Sequence, residues 1–212
     1  MFSNEAPTPQ EEFWAGEEGT AYIGRNKDLH LLSSSIAMYA DILRSTVNVS
    51  SVLEFGANIG LNLLAIRKLL PDAELSALEI NPAAVEELQK LDLKHVYRTS
   101  IFNYKLDYPR DLVFTRGVLI HLNPGKLKLA YAKLYDSARR YICVAEYYDP
   151  NPTMIPYHGE VDRLFKRDFA GELLDLYPNL RLVNYGFVYH RDPNFPQDDI
   201  TWFLLEKKEN SK

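Results

Sequence analysis

The stretch Ser51-Val52-Leu53-Glu54-Phe55-Gly56-Ala57-Asn58-Ile59-Gly60 limits the architectures open to this chain more than any other. Val52-Leu53-Glu54-Phe55 is short and apolar enough to be a buried parallel strand, and Gly56 lets backbone approach a ligand with no Cβ in the way. Asn58 tolerates a left-handed conformation. Gly60 opens a run from Leu61 to Leu70 with helical periodicity, a basic end at Arg67-Lys68 and a following Pro71. Strand, glycine turn and helix in that order form the usual site for a nucleotide-like ligand.

A dinucleotide fingerprint has glycines at its first, third and sixth places, and here those places hold Gly56, Asn58 and Leu61. That argues against NAD. The residues resemble instead motif I of the class I S-adenosylmethionine-dependent methyltransferases, an acidic residue followed by alternating glycines, carried by Glu54, Gly56, Asn58 and Gly60. Asn58 replaces the middle glycine. A second signal follows at Glu79, which ends the apolar run Leu75-Ser76-Ala77-Leu78. In Rossmann-type folds an acidic residue roughly 20 positions past the glycine turn accepts hydrogen bonds from ribose hydroxyls. Asn81 and Pro82 suit the cap and first turn of a helix, so this junction also has a purely structural use.

A chain of 212 residues fits a single domain with a sizeable core. The net charge of −5 comes with no basic stripe to track a phosphate backbone, which argues against nucleic acid as a substrate. Cys143 sits inside the apolar run Tyr141-Ile142-Cys143-Val144-Ala145 and reads as a small buried hydrophobe. The N-terminus lacks a basic region and an apolar core, and no apolar run approaches the roughly 20 residues that span a bilayer. A cytoplasmic protein with no membrane association is expected. Acidic and histidine residues show no ligand spacing, so no metal is expected.

In chain order, residues 1–12 read as a mobile arm. The aromatic and glycine-rich stretch from Phe13 to Asn26 reads as an aperiodic loop that closes over a ligand, although Trp14 and Tyr22 can equally cover core. Residues 27–44 have helical spacing. Helices are also expected over 82–91, 124–139 and 162–176, and strands at 95–98, 111–117, 141–145, 180–189 and 200–206. The last two strands form a hairpin across residues 191–198. The proline-punctuated segment 146–160 follows a strand end, where substrate loops belong. The expected fold is α/β and Rossmann-like: a doubly wound, mostly parallel seven-stranded sheet with a C-terminal antiparallel hairpin and helices on both faces. Residues 1–27 form an arm over the cofactor, and 28–212 form one domain.

His121, in Gly117-Val118-Leu119-Ile120-His121-Leu122, stands at a strand-to-helix turn, where an imidazole can take a proton near neutrality or simply cap backbone. Glu146, Tyr157 and His158 are the alternatives. Phe13-Trp14, Tyr22, Arg25-Asn26, the Glu54-to-Gly60 motif, Glu79-Ile80-Asn81-Pro82 and the His121 stretch together resemble the pseudaminic acid biosynthesis-associated methylases. That resemblance implies S-adenosylmethionine as cofactor, S-adenosylhomocysteine as product, and a nonulosonic-acid-type sugar or its nucleotide-linked precursor as substrate, used on flagella or surface polysaccharide. A homodimer is compatible with it. Within the resemblance Arg25 pairs with the methionine carboxylate, and Gly56 and Gly60 line the cofactor's amino acid and ribose. Glu79 with Ile80 holds the ribose. Ser100 stands where the adenine amino group is met, Ile101 and Phe102 flank the ring, and Trp14, Tyr22, Glu54, Asn58, Thr115 and Gly117 complete the cofactor site. Two other readings stand beside it: a catalytically silent Rossmann module, and an NAD-dependent sugar dehydrogenase or epimerase. The latter calls for Tyr-x-x-x-Lys, which the chain lacks.

Overall fold

The computed structural model describes residues 6–24, 29–157 and 160–208. Its strands are β1 (Ser51–Phe55), β2 (Glu74–Glu79), β3 (His95–Arg98), β4 (Arg110–Arg116), β5 (Ala138–Glu146), β6 (Thr153–Tyr157), β7 (Glu160–Lys166), β8 (Leu180–Val188) and β9 (Ile200–Lys207). Seven of them form one sheet in the order β3-β2-β1-β4-β5-β9-β8. The first five are mutually parallel, and β9 runs antiparallel to both β5 and β8. The expected sheet and its C-terminal hairpin are therefore present. β6 and β7 form a separate antiparallel pair.

The sheet is covered on both faces, which is why β1 is buried at every position. Val52 points into one core with Tyr39 and Ile42 of α3 (Leu29–Leu43), Leu63 and Ile66 of α4 (Leu61–Leu69), and Leu88 of α5 (Pro82–Leu88). Leu53 and Phe55 point into the other, against Tyr131 and Leu134 of α6 (Leu127–Ser137) and Phe169 and Leu173 of α7 (Phe169–Leu176). Both side chains are fully buried, and each burial is worth about 1.5–3 kcal/mol. Cys143 lies in the first core, and burial pushes its thiol up to about 12, consistent with an inert packing role. No helix of the described residues is long and apolar enough to cross a membrane.

Four local expectations are corrected. The arm and loop expected over residues 1–26 instead contain α1 (Pro9–Ala15) and α2 (Glu17–Ile23). Thr8 and Glu11 close a capping box on α1, Pro9 occupies its first turn, and Gly16 separates the two helices. The helix expected over residues 162–176 is only α7, which Asp168 caps through Gly171 N at 2.8 Å. Its first part is β7, paired with β6, so cross-strand pairing prevails over a four-residue apolar spacing at Phe165 and Phe169. The same pairing turns much of the expected loop at 146–160 into a hairpin arm. Finally, α6 stops at Ser137, and β5 begins at Ala138, earlier than its apolar run suggests.

Candidate functional site

A cleft opens at the carboxyl ends of β1, β2, β3 and β4, where parallel α/β sheets bind ligands. Its unfilled space, open mouth included, is about 1080 Å³. Trp14, Tyr22, Gly56, Asn58, Glu79, Ile80, Ser100, Ile101, Gly117 and His121 all line it. Of the other residues expected there, Gly60 caps α4, while Glu54, Phe102, Thr115 and Glu146 are buried and do not line the cleft. Arg25 and His158 lie outside the described residues, as does the side chain of Tyr157.

The turn after β1 accounts for the asparagine in the motif. Gly56, Asn58 and Gly60 have φ of 74°, 48° and 82°, so the middle position needs a left-handed residue and asparagine supplies one. Its backbone N–H donates to Glu79 Oε2 at 2.7 Å, and Ile80 and Asn81 N–H groups both donate to Oε1 at 2.8 Å. Three backbone donors thus fix the Glu79 carboxylate at the cleft wall. A carboxylate has about four acceptor positions, so Oε2 keeps capacity for a hydroxyl. Burial raises the Glu79 pKa despite these bonds.

Glu54 lies one layer below. Asn62 Nδ2 donates to its Oε1 at 2.6 Å, and Oε2 is buried with no partner among the described residues. Burial pushes this carboxyl up to about 8, against the opposing Asn62 amide and Arg116 guanidinium. The folded protein then keeps a proton that the unfolded chain releases at about 4.3, so stability falls as pH rises from there through about 8. Glu54→Gln is expected to remove this slope. Its thermal midpoint should gain on the wild type between about pH 5 and about pH 8.5, and thermal unfolding at both values measures this.

His121 sits in the 3-10 turn Leu119–His121, the first of two that follow β4. Its Nδ1 lies 2.6 Å from the carbonyl oxygen of Arg163 in β7. A carbonyl only accepts, so Nδ1 carries the proton and Nε2 the lone pair. Burial lowers the imidazole to about 4, which keeps it neutral through the physiological range. Glu146 supports this turn from beneath: its carboxylate accepts from the N–H groups of Val118, Leu119 and Ile120 at 2.9–3.4 Å. Burial pushes Glu146 up to about 7, while those N–H groups pull the other way.

The N-terminal helices meet the cleft from above. Trp14 packs on the His121 ring with centroids 4.6 Å apart, and on Tyr22 at 5.5 Å. Asn81 Oδ1 caps α5, while its Nδ2 reaches Trp14 O at 3.1 Å and Gly16 O at 3.2 Å, tying the α1–α2 corner to the end of β2. Ser100 Oγ donates to Glu11 Oε1 of α1. Glu11 therefore brings a carboxylate to the end of β3, where the sequence has only a serine. Sequence reasoning missed Glu11, Asn62 and Arg116. The Thr8-to-Glu11 capping-box spacing was the available signal for the first, but it reports a helix start and not a cleft. Among the described residues, no group of three or more histidine, cysteine or acidic side chains is arranged to hold a metal ion.

No protein-family model and no curated protein matches the sequence. Solved structures do share its fold. A SAM-dependent methyltransferase from Leishmania major matches with a TM-score of 0.70 at 18% identity, over 94% of this chain and 81% of that one. The 1,6-didemethyltoxoflavin-N1-methyltransferase of Burkholderia thailandensis, solved with 1,6-didemethyltoxoflavin and S-adenosylhomocysteine, matches at 0.67 and 12% identity, over 98% and 94% of the two chains. Magnesium protoporphyrin IX methyltransferase from Synechocystis, solved with SAM, matches at 0.66 and 10% identity, over 97% and 100%. At these identities the likeness establishes architecture: the chain has the class I, Rossmann-like methyltransferase fold.

Proposed function

We propose that this protein transfers a methyl group from S-adenosylmethionine to a small molecule. The observation that carries the reading is the Glu79 carboxylate, held by three backbone donors beside the Gly56 turn in a cleft at the sheet's carboxyl end. The class I fold, and matching structures solved with S-adenosylhomocysteine or SAM, support it. The residues fit such a cofactor. Glu79 Oε2 has acceptor capacity for a ribose hydroxyl, and Asn58 Oδ1 is a buried acceptor with no partner among the described residues. Ser100 with Glu11, beside Ile101, offers an acidic group toward an adenine amino group. Trp14 and Tyr22, on the 1–27 arm, cover the site. Gly117 lines its β4 side, and Glu54 lies beneath the glycine turn.

Bound there, the sulfonium supplies an already activated methyl group. The chain has to align the acceptor, exclude water and, for a hydroxyl acceptor, take its proton. His121 Nε2 is the group assigned to that proton. Glu146 holds the turn that carries it. His121→Ala is expected to lower kcat roughly 100-fold while leaving S-adenosylhomocysteine affinity unchanged. In the wild type the rate should stay level as pH falls from about 8 to about 5, and drop only as His121 protonates near 4. An unchanged kcat in the variant would show that the acceptor needs no base from this side chain.

For the acceptor we infer a nonulosonic-acid-type sugar or a nucleotide-linked precursor of one. The local patterns at Phe13-Trp14, Tyr22 and the His121 stretch support this class. Methyl transfer from labelled S-adenosylmethionine to such sugars, run against a panel of heterocyclic and porphyrin acceptors, tests it. Turnover confined to the panel would refute the sugar assignment and leave the methyltransferase reading intact.

A further inference from the structure

Arg116 is the one lysine or arginine lining the cleft among the described residues, and it differs from the arginines that this fold pairs with carboxylates. Arg110 pairs with Asp107, Arg139 with Asp111, Arg167 with Glu172, and Arg140 and Arg181 with Glu206. Arg116 has no carboxylate partner among the described residues. Its Nη2 donates to the neutral amide oxygen of Gln197 at 2.8 Å, and its Nη1 lies a long 3.5 Å from Asn62 Oδ1. Its Nε is buried with no acceptor among the described residues, and so is the amide nitrogen of Gln197. Both unmatched groups are donors, so the chemistry they call for is an acceptor. A guanidinium has five donors in a planar fork, and a carboxylate matches that fork with two parallel bonds. The Glu54 carboxyl, across Asn62, bonds that amide and does not neutralise the guanidinium. Burial also keeps Glu54 protonated near neutrality, so Arg116 retains its full charge at the cleft.

We propose that Arg116 is a carboxylate-binding group of the cleft, taking either the α-carboxylate at the methionine end of the cofactor, for which the sequence suggests Arg25 (outside the described residues), or a carboxylate carried by the acceptor. The inference rests on the methyltransferase reading and deepens it. β4 positions the side chain through its last residue, beside Asn62 of α4, and the loop between β8 and β9 steadies it through Gln197.

Titration calorimetry of the full chain tests this, with S-adenosylhomocysteine compared against 5′-methylthioadenosine, which has the same nucleoside and thioether but no amino-acid end. If the cofactor supplies the carboxylate, Arg116→Met weakens S-adenosylhomocysteine roughly 10- to 100-fold and leaves 5′-methylthioadenosine within about twofold. If the acceptor supplies it, both nucleosides are unaffected, and N-acetylneuraminate, a carboxylated nonulosonate, binds the S-adenosylhomocysteine-loaded wild type but not the variant. Arg116→Met matching the wild type toward all three ligands overturns the proposal. Should Arg116→Met weaken both nucleosides, Arg116→Lys decides: selective loss of S-adenosylhomocysteine supports the assignment, and equal loss overturns it. A wild type that binds neither nucleoside overturns the methyltransferase reading, and this inference with it.

Discussion

Gly56→Val is expected to abolish S-adenosylhomocysteine binding and to lower the thermal midpoint by about 5–10 °C. Two independent effects coincide at this residue. The backbone has φ of 74°, a left-handed conformation that costs an ordinary residue about 1–2 kcal/mol and a β-branched one more. A Cβ built there would also lie 2.6 Å from Val118 Cγ2, in the segment that leads to His121. The turn cannot swing away freely, because Gly56 N and Ala57 N both donate to Leu78 O, at 2.7 and 3.0 Å. Relief must come from moving the Val118 segment or from breaking the link to β2, and both deform the cleft. Gly56→Ala should show the same losses in reduced form. Thermal unfolding and titration of the two variants measure them.

Glu146→Ala is expected to be the more damaging change, although its side chain does not line the cleft. It would leave the buried N–H groups of Val118, Leu119 and Ile120 without their acceptor, at about 3–5 kcal/mol in total, or roughly 10 °C in thermal midpoint. The turn carrying His121 loses its base, so methyl transfer should fall at least as far as in His121→Ala. Glu146→Gln keeps one amide oxygen as acceptor and should retain most of the stability. Because burial raises Glu146 to about 7, the wild type gives up stability as pH rises from about 4.3 toward 7, and the glutamine variant does not. Comparing the three proteins by thermal melts and turnover separates support of the turn from a direct part in proton transfer.

The parts of the fold legible in the sequence are those in which local chemistry and tertiary need coincide. The turn after β1 shows itself because Gly56 and Gly60 are required by the backbone, and Asn58 is one of the few other residues tolerated there. β3 has the bounds that its sequence suggests, and the C-terminal hairpin follows from aromatic and β-branched runs around a polar turn. The misreadings arise where distant pairing decides. Residues 160–166 are a strand only because β6 is there to pair with it. Glu11 meets Ser100 across 89 positions, and nothing near either residue announces the contact. Arg116 stood in plain view as the end of an apolar strand, but its place in the cleft with no carboxylate partner among the described residues is something only packing reveals. Glu146 had the right neighbourhood for a proton acceptor, yet three backbone N–H groups converge on it from the turn above.

The central claim is that the cleft holds S-adenosylmethionine through Glu79. Isothermal titration of the wild type and Glu79→Ala with S-adenosylmethionine, S-adenosylhomocysteine and NAD(H) tests it most directly. The account predicts that both adenosyl ligands bind the wild type, that Glu79→Ala weakens them at least tenfold, and that NAD(H) does not bind. Binding of NAD(H) alone, or adenosyl affinity unchanged by the substitution, would contradict it.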